Sequence, residues 1–180
     1  MKWLLCLIAC ALGCFITASA LAAEEEMKEG LVAEFYSMDG AVEDFPTIPA
    51  DKKPTVKRVD KQINVDSTGD NWPGTDLKDH YYIRWTGSIK IAKDGKFKFF
   101  TESDDGSRLF IDGKEVVSNG GLHGMEEKEG EVELKAGAHD LKVEFFQNEG
   151  EAGCKMSWQA PGGTKEIVPA SALSHKKSAE

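Results

Sequence analysis

Apolar side chains recur at every second residue along several stretches of this chain, and that period restricts its folds more than any other feature. Ile83, Trp85, Ile89 and Ile91 alternate with Arg84, Thr86, Ser88 and Lys90, and Phe97 and Phe99 with Lys96 and Lys98. Val132 and Leu134 stand between Glu131, Glu133 and Lys135. Leu141, Val143 and Phe145 alternate with Asp140, Lys142 and Glu144, and Met156 with Trp158 closes the series. Successive strand side chains point to opposite faces, so each run places one set in a core and the other in water. Asp94-Gly95, Asp112-Gly113, Ala136-Gly137 and Pro161-Gly162-Gly163 fall between the runs as turn signals. The pattern predicts an all-β fold, a single antiparallel β-sandwich or barrel. Gly30 to Tyr36 reads as a first strand and Thr55 to Val65 as another. Met38 to Pro54 reads as a long surface connection, Asp66 to His80 as a loop, and Glu24 to Glu29 and Ser174 to Glu180 as frayed ends.

The first residues have a different character. Lys2 is followed by an uncharged run from Trp3 to Ala23 that ends in Ala20-Leu21-Ala22, just before Glu24-Glu25-Glu26. Residues 1–22 are therefore expected to be a secretory signal peptide. A β-domain at 30–173 and a polar tail at 174–180 follow. The apolar run also approaches the roughly 20 residues that span a bilayer, but the small-residue ending and acidic continuation favour cleavage. No transmembrane segment is then expected in the mature chain, which would be secreted, periplasmic or at the cell surface. Leu7-Ile8-Ala9-Cys10 and Ala11-Leu12-Gly13-Cys14 faintly resemble lipoprotein cleavage boxes and leave a lipid anchor as an alternative.

With 31 acidic against 22 basic residues and a net charge of −9, the chain is ill suited to nucleic acid, whose phosphates need clustered Lys and Arg. Three of its cysteines, Cys6, Cys10 and Cys14, lie in the leader. Cys154 is then alone and can form no internal disulfide. Its alternation with Met156 and Trp158 marks it as a small core hydrophobe.

Chemistry concentrates in Ser103-Asp104-Asp105-Gly106. Two adjacent carboxylates at a tight turn repel each other unless a cation or several donors lie between them. Calcium takes roughly 6–8 hard oxygen ligands. Neighbouring side chains of an extended chain point apart, so one ion can reach both only where the backbone is distorted, and a cis peptide is one solution. The loop Gln147-Asn148-Glu149-Gly150-Glu151-Ala152-Gly153 offers an amide oxygen and free carbonyls for the rest of a shell. The plainer alternative is a hairpin turn and a solvated loop. A helix–loop–helix calcium site is excluded because its ligand pattern is missing. His80, His123, His139 and His175 lack metal-type spacing, so zinc is not expected. Trp72, in Asp70-Asn71-Trp72-Pro73-Gly74, is a loop tryptophan of the kind that can stack on the C–H face of a sugar ring, and Asn119 to His123 is a candidate for the rim of a site. Glu102, Asp104 and Asp105 crowd one turn instead of facing across a cleft, and Ser107 and His123 lack a nucleophile elbow. No enzyme is expected.

Together these segments resemble the protective-antigen-like (PA-14) domain family. The resemblance runs through Gly30-Leu31-Val32-Ala33-Glu34-Phe35-Tyr36, Arg84-Trp85-Thr86-Gly87, Ser103 to Gly113, Leu122-His123-Gly124, Glu144 to Asn148, Ser157-Trp158 and Ile167 to Leu173. It implies a β-barrel-like sandwich of the kind found in toxins, glycosidases and adhesins. In the adhesin members, consecutive aspartates joined by a cis peptide hold a calcium that also coordinates sugar hydroxyls, a pair matched here by Asp104 and Asp105. A later loop there adds an Asn side chain and two carbonyls, matched by Asn148, Gly150 and Ala152. Two functions are consistent with this reading. One is a calcium-dependent carbohydrate-binding module for a glycan or polysaccharide. The other is a structural or protein-interaction domain of a cell-envelope or extracellular assembly, possessing calcium only as a loop stabiliser.

Overall fold

The computed structural model describes residues 26–177. The signal-peptide reading of residues 1–22, and the alternatives to it, lie outside them. In chain order the strands are β1 (Met27–Glu29), β2 (Leu31–Ser37), β3 (Val56–Asp60), β4 (Asn64–Thr68), β5 (Tyr81–Ile91), β6 (Gly95–Asp104) and β7 (Ser107–Ile111). They continue as β8 (Lys114–Asn119), β9 (Glu126–Leu134), β10 (Gly137–Gln147), β11 (Ala152–Gln159), β12 (Glu166–Ile167) and β13 (Leu173–Lys176). No helix among the described residues is long and apolar enough to cross a membrane.

The strands form two antiparallel sheets, as the alternation predicts. One follows the order β1-β13-β5-β10-β7-β8, and β3 joins it through β2, which pairs β5. The other follows β12-β11-β6-β9, with β4 also on β11. β5 pairs with β10 along its whole length, from Tyr81 opposite Gln147 to Ile91 opposite Gly137. Its second edge is shared, by β2 beside Tyr81 to Thr86 and by β13 beside Ser88 and Ile89. Between the sheets, Ile83, Trp85, Leu109, Val143 and Phe145 meet Phe97, Phe99, Cys154 and Met156 in one buried cluster. Cys154 is a core residue, and burial pushes its thiol pKa upward. The flank between the sheets closes where β8 crosses β9. There Gly130 lies so near Val116 that a Cβ would sit 1.7 Å from the Val116 carbonyl oxygen.

Three expectations are corrected by packing. Thr55 to Val65 is two strands, because the chain leaves β2 at Asp60 and rejoins the other sheet at Asn64, where β4 pairs with β11. The Met38–Pro54 connection is more than a surface link. Val42 is buried, and with Met38, Phe45 and Ile48 it covers Tyr36, Tyr82 and Phe146 on the outer face of the first sheet. The ends are not frayed where described. β1 pairs with β13, setting Met27 opposite Lys176, and the Lys177 N–H donates to the Glu26 carbonyl at 2.9 Å. Period-two patterning signals strands with one buried face, and edge strands such as β1 (Met-Lys-Glu), with no buried residue, lack it.

A pH-sensitive clasp joins the turns after β7 and β9. His139 Nδ1 lies 2.6 Å from Asp112 Oδ2, and Nε2 lies 2.9 Å from the Lys135 carbonyl oxygen. Both ring nitrogens face acceptors, so the imidazolium is favoured. The Asp112 carboxylate first, and the Lys135 carbonyl second, raise the His139 pKa. A raised folded-state pKa gives stability that is fully present below the ordinary value of about 6.5 and lost as pH rises through the raised one. The melting temperature of the parent should therefore exceed that of His139→Gln near pH 6, and the gap should close by pH 9. A gap that ignores pH would exclude the clasp.

Candidate functional site

The site forms because three chain segments change sheets at the same end of the sandwich. β6 runs in one sheet to Asp104, opposite Gly153 of β11, and β7 begins in the other at Ser107, opposite Phe145 of β10. Asp105 and Gly106 make that crossing. Asn148 to Glu151 cross back from β10 to β11, and Gly120 to Met125 cross from β8 to β9.

Asp105 ties all three together. Only 6% of it is exposed. Its Oδ1 accepts the His123 N–H at 3.1 Å and its Oδ2 accepts the Asn148 N–H at 2.9 Å. Its own N–H donates to Gln147 Oε1 at 3.1 Å, while Gln147 Nε2 donates to the Glu151 carbonyl at 2.9 Å. The Phe146 N–H donates to the Gly106 carbonyl at 2.9 Å. Position 106 must be glycine for this approach, because a Cβ would stand 2.3 Å from Phe146 Cε1. The Asp104–Asp105 peptide is cis.

Asp104 has the opposite environment. Among the described residues no hydrogen bond or ion pair reaches its carboxylate. Burial above all, then the charges of Asp105 and Glu151, push its pKa up to about 6, against a small opposing effect of His123. It is ionised at neutral pH but electrostatically unsatisfied. Among the described residues no group of three or more His, Cys, Asp or Glu side chains is arranged to hold a metal ion. Asp104 and Asp105 supply carboxylates, and the loop that begins at Asn148 beside them carries amide and carbonyl oxygens, the types a hard cation takes.

The other sequence candidates divide. Asn148 is beside Asp105, although its side-chain oxygen accepts the Val42 N–H at 3.0 Å and its carbonyl accepts the His80 N–H at 2.8 Å. Gly150 is on the same loop, its N–H 3.3 Å from Asp79 Oδ1. Ala152 starts β11 and is buried. His123 reaches the site through its backbone, with Nδ1 2.9 Å from the Gly124 carbonyl oxygen. Two expectations fail. Trp72 is 1% exposed, its ring centroid 5.1 Å from that of Phe145 and 6.0 Å from that of Tyr81. The loop folds inward over the end of the core and leaves no indole face for a sugar. Asn119, also 1% exposed, closes β8 against β9 by donating to Ser103 Oγ and the Glu126 carbonyl. It supports the rim from below instead of lining it. Gln147, next to Asn148 and fully buried, belongs to the Asp105 network through its side chain, a role that its place at the start of the loop does not reveal.

The family model described as PA14 domain matches residues 27–172. The Anti-sigma-I factor RsgI3 of Acetivibrio thermocellus is 33% identical over 118 residues, covering 64% of this chain and 18% of that protein. The solved structure of an anti-sigma factor domain-containing protein from Clostridium clariflavum is 28% identical with a TM-score of 0.69, covering 85% of this chain and 49% of that one. The PA14 sugar-binding domain from RTX adhesin is 20% identical with a TM-score of 0.70, covering 82% and 98%. At that identity the likeness is one of fold. The chain thus spans less than a fifth of the curated relative and about half of the solved anti-sigma protein.

Proposed function

Because the chain belongs to the PA14 domain family, we propose that it is an exported, non-catalytic carbohydrate-binding module that holds calcium through Asp104 and Asp105. The observation that carries this reading is the asymmetry of the pair. Asp105 clamps three loops through backbone N–H groups, and Asp104 beside it is charged, partnerless and near further acid. Asn148 and the carbonyls of Gly150 and Ala152 are the neutral donors that would complete the set. A bound calcium ion supplies open coordination positions for a vicinal pair of sugar hydroxyls. The chain's own part is to keep the carboxylates fixed and charged and to shape the loops around them. The sugar-binding domain of the RTX adhesin shares the fold, which supports a glycan or polysaccharide as partner. Affinity at one site should be weak, since hydroxyls compete with water that binds the ion well.

A second reading follows from the same hydrogen bonds. The two N–H groups on Asp105 already join the loops, so an ion there could serve only to stiffen a surface that binds a cell-envelope protein. A glycan array probed with calcium, with chelator and with Asp104→Asn decides between them. Binding to some sugar that chelator and the substitution both remove is expected. Silence across diverse sugars from folded, calcium-loaded protein would reject the carbohydrate reading in favour of the second.

A further inference from the structure

With Trp72 sealed in the core, no aromatic platform from the Asp66–His80 loop serves the site, yet one apolar side chain does stand at its rim. The large hydrophobic residues exposed among the described residues are Met27, Val59 and Leu122. Met27 belongs to β1 and Val59 to β3, both outer strands of the first sheet. Leu122 is 51% exposed and lies on the third crossing loop, within Gly120-Gly121-Leu122-His123-Gly124. The peptide joining it to His123 is the one whose N–H binds Asp105 Oδ1 at 3.1 Å. One residue further on, a Cβ at Gly124 would stand 4.0 Å from Asp104 Oδ2. The two residues that follow Leu122 thus hold this loop beside both carboxylates. Half of the Leu122 surface faces water beside the two carboxylates, and that apolar area is free to be covered by a ligand.

Resting on the carbohydrate reading above, we infer that Leu122 is a specificity-determining contact that covers an apolar patch of the bound sugar. A sugar held by two adjacent hydroxyls still presents C–H groups to the loops beside them. A branched aliphatic side chain is small and convex. It suits a methyl group or a C–H edge better than the broad ring face an indole would cover. The ligand class is therefore a glycan whose terminal sugar carries a vicinal diol with a methyl or C–H patch next to it, as a 6-deoxyhexose does.

The test uses the purified protein with calcium, titrated with L-fucose, D-galactose, D-mannose and D-glucose by calorimetry or ligand-observed NMR. Leu122→Ser should weaken the tightest of these about fivefold, the size expected for losing part of one aliphatic contact. Leu122→Phe should bind at least as well as the parent. Calcium affinity, followed by the calcium-dependent shift in melting temperature, should be the same in all three proteins. Equal sugar affinities for parent and Leu122→Ser, with calcium binding intact, would overturn the contact and leave the carbohydrate reading standing. A changed calcium affinity would overturn it too, by placing the effect at the ion. Calcium-loaded parent that binds none of these sugars, nor any on the array, would remove both.

Discussion

Asp105→Ala should lose the whole calcium response and also melt early in chelator. In the parent, calcium at a hundred times its dissociation constant should add about 2.7 kcal/mol of stability, and the variant should show none of it. The second effect is independent of any ion. Removing the carboxylate strands the partly buried His123 and Asn148 N–H groups, and a fully buried unsatisfied donor costs on the order of 1–3 kcal/mol. A loss of about 2 kcal/mol in chelator is expected, with the three crossing loops freed together. Asp104→Asn is the informative partner. The raised pKa of Asp104 means that its ionisation opposes folding above pH 6, so this variant should keep or slightly gain stability in chelator while losing the calcium shift. Thermal melts of three proteins, with and without calcium, check both. If Asp105→Ala melts like the parent in chelator, the clamp is wrong. If it still responds to calcium, the ion lies elsewhere.

Gly130→Ala should be the most damaging single methyl group in the domain. Its Cβ would stand 1.7 Å from the Val116 carbonyl oxygen and 2.8 Å from the carbonyl carbon. The obstacle is backbone, which has no rotamer to adopt, so β8 and β9 must separate where they close the flank. Overpacking of this kind costs typically 1–3 kcal/mol and occasionally more. A loss of about 3 kcal/mol corresponds to a fall of roughly 6–12 °C for a domain of this size. Gly40→Ala is the control, because nothing lies within 4 Å of its added methyl. Melting of Gly130→Ala within a degree of that control would disprove the close crossing.

The sequence disclosed what depends on near neighbours along the chain. β5, β6 and β10 were legible because their core-facing residues, Ile83, Trp85, Val143 and Phe145 among them, keep a strict period of two. β1, β4 and β12 were not, because short edge strands are held by backbone pairing and carry little apolar signal. The carboxylate pair was visible for a local reason, like charges at one bend. What surrounds it was hidden by distance. The Asn148 side chain meets the Val42 N–H across 106 residues, and the Asp105 acceptors reach donors 18 and 43 residues away. Trp72 shows the same limit in reverse. Its Asp, Asn, Pro and Gly neighbours signal a loop, and a loop it is, but periodicity has no bearing on whether such a loop dips into the core. Gly130 sits unremarked among glutamates because its constraint comes from a strand it does not pair with.

The pairing of Met27 with Lys176 and of Glu26 with Lys177 brings the two ends of the folded unit to one doorway. A unit with a common entrance and exit hangs from its host as a pendant and can be spliced into a longer polypeptide without prying its neighbours apart. The matching stretch makes up only 18% of the anti-sigma relative. Such a layout keeps the junction with any flanking chain at a single edge of the fold.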